Sequence, residues 1–326
     1  MSAIAELKAK MYLTLGLVFA IGFIIIFAIL YLMGVSSIAI LAFVFLFFVL
    51  QWYASPAIIR IASRLKYIKA DEYPDLHSTV AELAQQANVP VPRIAISPSK
   101  DPNAFVFGRT RKGATLVVHE GLLSSVNKDE LRAVLAHEIG HIKHNDFTIM
   151  TVVSFVPMIA FLIAEVFFFG GFRGNSRNGG AYIMLIGMVA FAVYFMTELL
   201  MLSLSRTRET FADTYSAQAT QKPELLASAL SKITYNLAAS PQQSGQSSVT
   251  RSFFIADNLS ARKDLAEIEK HASEIRKLLP SIDMEALKAA AKREGGPMRG
   301  MLGSIFSTHP PTYKRIIMLA RLKENS

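Results

Sequence analysis

His137-Glu138-Ile139-Gly140-His141, with His144 three residues on, puts three histidines and a glutamate into eight positions of a chain with seven histidines in all. The pattern His-Glu-x-x-His suits one metal ion held on a helix. Residues i and i+4 share a helical face, so both imidazoles can reach a single Zn²⁺ at about 2.0–2.1 Å. Glu138, one step round from His137, flanks such an ion without ligating it. There it can take a proton from water and deliver it to a leaving amine. Gly140 allows close approach of another element. Catalytic zinc wants three protein ligands and an open water position, so one ligand is missing. His144 lies on about the same face as His137 but two turns along, and a regular helix cannot bring it to the same ion. The chain has no cysteine, which leaves His and carboxylate as donors and excludes disulfides and thiolate chemistry. In "SRTRETFADTYSA" (205–217), Glu209 and Asp213 stand at i, i+4. Glu209 would complete a two-histidine, one-glutamate site, and Asp213 could accept a hydrogen bond from a ligating imidazole. A solvated Arg/Glu/Asp helix face has the same spacing, so the residues alone leave both readings open.

What separates the two motifs is apolar. Hydrophobic residues make up 52% of the 326 residues and charged ones 18%, and the excess is concentrated in blocks. From Met11 to Ile59 there is no Asp, Glu, Lys or Arg. The run divides at "GVSS" (34–37) into two segments, each long enough to cross roughly 30 Å of hydrocarbon. Phe147–Phe172 and Ala181–Ser205 are two further candidate spans, joined by a Gly-rich turn. Pro157 predicts a kink in the third. Glu165 and Glu198 are costly in lipid and should face the bundle or a cavity. Lys8 and Lys10 precede the first span, Arg60, Arg64, Lys66 and Lys69 follow the second, and Arg206 and Arg208 follow the fourth. This distribution places both termini and both polar blocks in the cytoplasm of a multi-pass protein of the cell membrane. The net charge of +9 is read as attraction to the lipid surface rather than to nucleic acid, for which no motif appears.

The expected organisation is a transmembrane hairpin over 1–59, the first half of a catalytic domain over 60–146, a second hairpin over 147–205, and the second catalytic half over 206–326. In the first block Leu76, Val80, Leu83 and Ala87 have helical spacing. Residues 93–97, 103–109 and 114–120 read as short strands. Asn127 with Glu130 makes a capping box that opens the helix of the histidine motif, expected to continue into the third span. In the second block, 242–248 reads as a loop. Segments 260–279 and 283–294 read as charged helices without an apolar surplus, and an amphipathic helix ends the chain. The fold class is α+β, with four transmembrane helices.

"LRAVLAHEIGHIKHND", "SLSRTRETFADTYSA" and "STHPPTYKRI", in this order and interleaved with these spans, resemble the HtpX-type membrane zinc metallopeptidases, relatives of the membrane prenyl-protein peptidases. The resemblance implies a zincin-like domain with one Zn²⁺ per chain, and Glu209 as the third ligand beside His137 and His141. It implies that Asn103, in "PNAFVFG", hydrogen-bonds a substrate lying as an added strand. It also implies that His309, in "THPP", approaches the substrate as a donor to the developing oxyanion, while Arg315 is structural. The expected activity is hydrolysis of peptide bonds in misfolded membrane or membrane-proximal proteins, as quality control under stress. Prenyl-protein processing and non-catalytic metal binding are the alternatives. Residues 258–302 form an insertion relative to the family pattern, and nothing in the sequence sets the oligomeric state.

Overall fold

The computed structural model describes residues 36–173, 179–239, 261–278 and 309–324, with scattered positions between 9 and 24. The first expected span, the loop at 242–248 and the segment 283–294 fall largely or wholly outside the described residues. Two compact units emerge, one of residues 1–54 and 149–207, the other of 55–148 and 208–326.

The second unit is a small sheet covered by helices. Helix α1 (Ser37–Ala62) is followed by β1 (Lys66–Tyr67), α2 (Pro74–Ala87), β2 (Arg93–Ser97), β3 (Ala104–Phe107) and β4 (Thr115–His119). Strand order is β1-β2-β4-β3, with β2 and β4 parallel and the outer pairings antiparallel. Alternation divides the sheet's side chains. Ile94, Ile96, Ala104, Val106, Leu116 and Val118 join the main core, while Ala95, Phe105, Phe107 and Val117 meet Ile59 and Leu65 on the other face. Leu76, Val80, Leu83 and Ala87 are the buried stripe of α2, as their spacing demands.

After α3 (Glu120–Ser125), α4 (Lys128–His144) carries the histidine motif. Its start is the expected capping box: Glu130 N donates to Asn127 Oδ1 and Asn127 N to Glu130 Oε2, each at 2.9 Å. Its end differs from expectation. Asn145 adopts φ 61°, ψ 36° and its N–H returns to the His141 and Ile142 carbonyls, the left-handed cap that Asn tolerates best after Gly. The helix therefore stops at His144, and a separate helix, α5 (Asp146–Val153), follows. Helix α6 (Phe155–Arg173) follows a break at Ser154. That break lies one turn before Pro157, which cannot donate to the Val153 carbonyl and whose ring crowds it.

Helix α7 runs from Gly179 to Thr220. Its last turns belong to the second unit, with α8 (Pro223–Ala239), α9 (Ala261–Lys270), α10 (Ala272–Leu278) and α11 (Thr312–Glu324). Helix α8 bridges to α4 through Glu130, which accepts from Ser228 Oγ at 2.7 Å and from Lys232 Nζ at 2.8 Å. In the first unit, Val153 and Val156 pack with Met201 and Leu204, and Ala164 with Ala190. Leu185, Phe191, Phe195 and Phe161 lie exposed, costly in water and natural in lipid. Asp146–Glu165 and Met184–Thr220 are, among the described residues, the two segments long and apolar enough to cross a membrane.

Candidate metal centre

Three side chains from two helices converge. His137 and His141, one turn apart on α4, bring their Nε2 atoms to 3.1 Å of each other. Glu209, on α7, sets Oε1 3.4 Å from His141 Nε2 and Oε2 3.6 Å from His137 Nε2. Donors at about 2.0–2.1 Å from a tetrahedral ion stand roughly 3.3 Å apart, so this triangle fits a small divalent cation with one face left open. His137 and Glu209 are buried and His141 is 14% exposed at its side chain. Among the described residues this is the one cluster of such donors.

The approach of α7 to α4 depends on Gly140. A Cβ there would meet the Ala212 Cα at 3.2 Å and the Tyr215 ring at 3.1 Å. Ser216 Oγ donates to the Ala133 carbonyl at 2.7 Å and pins the same contact one turn on.

Each imidazole is backed by a carboxylate, and each carboxylate by an arginine. His137 Nδ1 lies 2.9 Å from Asp213 Oδ1, and Asp213 accepts both Arg315 Nε at 2.8 Å and a terminal Arg315 nitrogen at 2.7 Å. His141 Nδ1 donates to Asp146 Oδ2 at 2.6 Å, and Asp146 Oδ1 accepts from Arg208. Such backing fixes the ring orientation and tautomer, leaving Nε2 as the donor to a metal. Arg208, Asp213, Asp146 and Arg315 are all buried.

The electrostatics ask for positive charge at the centre. Burial opposes a charge on His141, but hydrogen bonds to Asp146 and Glu209 outweigh it and hold its pKa well above the ordinary imidazole value. Burial raises the pKa of Glu138, 3% exposed, against the pull of the neighbouring histidines. Arg315 also pays desolvation, yet Asp213 and then Glu209 push its pKa further up. His309 sets Nδ1 3.1 Å from Glu209 Oε2, and Arg315 comes within 3.5 Å of the same oxygen.

The structure thus brings His137, Glu138, His141, Glu209, Asp213 and His309 to one place. His144 stays apart, its ring 5.4 Å from that of Phe211, and burial lowers its pKa. Asn103 is buried just before β3, with its carbonyl accepting from His119 N at 2.9 Å. The sequence motifs gave Asp146 no role, and Arg208 only a part in the membrane orientation. On a continuous helix Asp146 would sit roughly 140° round from His141; only the left-handed Asn145 returns it.

A family model described as peptidase family M48 matches residues 70–323. A "Protease HtpX homolog" of Methanothermobacter thermautotrophicus is 39% identical over 244 residues, 74% of this chain and 90% of the relative. Proteins of the same description from Moorella thermoacetica and Thermococcus sibiricus are 36% identical over 278 residues and 32% over 328. These alignments cover 84% and 97% of this chain and 93% and 97% of the relatives. Among solved structures, the crystal structure of S. mikatae Ste24p aligns with 97% of this chain and 67% of its own, at 18% identity and a TM-score of 0.48.

Proposed function

The chain belongs to peptidase family M48, and from that premise we propose a membrane-embedded zinc endopeptidase that cleaves membrane or membrane-proximal proteins in quality control. That it is a membrane metalloprotease acting on protein substrates agrees with its family and its HtpX-named relatives. The observation that carries the finer reading is the triangle of His137, His141 and Glu209, with 3.1–3.6 Å edges, beside the buried Glu138.

In this reading His137, His141 and Glu209 hold one zinc ion, and Asp213 and Asp146 aim the two rings. Bound there, zinc supplies Lewis acidity toward the scissile carbonyl and a lowered pKa for water. Glu138 accepts the proton of the attacking water and releases it to the leaving amine; the upward push of burial on its pKa suits a group that must hold that proton and then give it away. His309, close to the cluster, donates to the oxygen on which negative charge develops. The substrate chain lies extended along β3, the strand at the end of the sheet order, with Asn103 anchoring its backbone. Helix α4 packs on β3, which brings that edge and the histidine motif together.

For the membrane, the reading is four spans with the termini and the site on the cytoplasmic side. The basic residues at 60–69 and 206–208 support this orientation.

The test is the purified full-length protein against a Glu138→Gln variant. The variant should keep one zinc per chain and lose cleavage of an unfolded substrate by about 10²–10⁴-fold, the usual worth of a general base. Undiminished cleavage would remove Glu138 from the mechanism.

A further inference from the structure

The insertion 258–302 has no part in the chemistry just described, yet its described portion, 261–278, is buried into the second unit. Leu265, Ile268 and Ile275 of α9 and α10 are essentially inaccessible and belong to the same core as Ile316, Leu319 and Ala320 of α11. The segment that composition marks as charged has one narrow apolar stripe, and α8 and α11 cover it.

Its polar contacts with α11 fall at both ends of that helix: Glu274 meets Arg321 near the far end at 3.3 Å, and the buried contacts are at the first turn. That turn follows Pro310 and Pro311, which have no backbone N–H and no side-chain acceptor, so neither residue can supply a side-chain cap. Asp264 of α9, 5% exposed, supplies one from a distance: Oδ2 accepts from Thr312 N at 3.0 Å and from Thr312 Oγ1 at 2.9 Å. One residue on, the Tyr313 ring stacks on His271, centroids 5.0 Å apart and planes 16° off parallel. Two positions after that comes Arg315, gripping Asp213; three positions before Thr312 comes His309, facing Glu209.

We propose that Asp264 is a positioning residue for catalysis: by capping α11 from the segment 261–278, it fixes where His309 meets the metal centre, while Arg315 keeps its place through its own two-point grip on Asp213. The segment 261–278 is thereby an internal bracket of the active site. Zinc retention depends on the α4 and α7 ligands and survives loss of the cap, whereas the placement of His309 does not. The proposal rests on the role given to His309 above.

The experiment uses the full-length, zinc-loaded protein in detergent with an unfolded casein substrate, and compares Asp264→Ala, His309→Ala and the double variant. Asp264→Ala should lower kcat by roughly tenfold or more, since misplacement of a catalytic group by about 1 Å costs up to about 10²-fold. KM should stay within about twofold, and zinc at one per chain. In the double variant kcat should equal that of His309→Ala alone, because groups that act as a unit are not additive. Wild-type kcat in Asp264→Ala, or losses that multiply in the double variant, would overturn the proposal. His309→Ala with wild-type kcat would instead refute the role of His309, and the proposal with it, while a failure at Asp264 alone leaves that role standing. Asp264→Asn, which keeps an acceptor for Thr312 N, should hold kcat within about twofold of wild type; a tenfold loss in it would overturn the capping role, and this outcome also decides the matter if Asp264→Ala fails to fold.

Discussion

Gly140→Ala is a one-carbon change that should reach the metal without touching a ligand. The added Cβ lies 3.1–3.3 Å from Tyr215 side-chain atoms and the Ala212 Cα, against about 3.5–4.0 Å for a relaxed carbon contact. Tyr215 can turn its ring, but Ala212 Cα is backbone, so α7 itself must withdraw by a few tenths of an ångström. Glu209 and Asp213 flank Ala212 on that helix. The Glu209 edges of 3.4 and 3.6 Å, already slightly over the roughly 3.3 Å that a tetrahedral ion prefers, would then lengthen further. For stability the terms partly offset: about 1 kcal/mol is gained in helix propensity and about 1–3 kcal/mol lost to overpacking, a net loss of at most about 2 kcal/mol. For the metal nothing offsets the shift, and affinity should fall about 10–100-fold, the usual scale for disturbing ligand support, or about 1.4–2.8 kcal/mol. The assay is zinc competition against a chromophoric chelator, with thermal unfolding of the metal-free protein in parallel. Unchanged zinc affinity in Gly140→Ala would refute the idea that the close contact of α4 and α7 sets the site.

Two further outcomes follow from the ionic frame. Arg315→Leu leaves Asp213 buried with His137 but without its arginine counter-charge and should cost about 3–5 kcal/mol, whereas replacing both residues by Leu should restore most of that stability without restoring zinc affinity; unfolding and zinc titrations separate the two. His119 is buried with Nδ1 3.0 Å from the Asp101 carbonyl, and burial pushes its pKa down to about 4. Its unfolded value is about 6.5, so between the two values the unfolded chain binds more protons, and stability falls as pH drops through that window, by up to about 3 kcal/mol. Melting temperatures at pH 7.5 and 4.5 should therefore differ less in His119→Gln than in the wild type; equal differences would contradict this assignment.

Periodicity made part of this molecule readable in its sequence. Leu76, Val80, Leu83 and Ala87 lie one helical turn apart, and Asn127 with Glu130 is a local capping pair; both express themselves within a few residues. The strands at 93–97, 104–107 and 115–119 were legible for the same reason, but their order was not, because the parallel pairing of β2 with β4 is a long-range choice. His137 and His141 were legible as a pair; Asp146, five residues on, was hidden by the left-handed Asn145. Nor could Arg208 or Arg315 be matched to their carboxylates, since those pairs join residues 62 and 102 positions apart. In the segment 261–278, counting charges concealed Leu265, Ile268 and Ile275, whose narrow stripe is enough for a helix with one buried side.

The central claim is a ligand set assembled from two distant motifs, and zinc K-edge absorption spectroscopy of the loaded protein tests it most directly. The predicted first shell has two imidazole nitrogens and a carboxylate oxygen at about 2.0–2.2 Å, with water completing four. Glu209→Ala should lose that oxygen and most of its zinc. Three imidazoles in the wild-type spectrum, or an unchanged spectrum and zinc content in Glu209→Ala, would contradict the account.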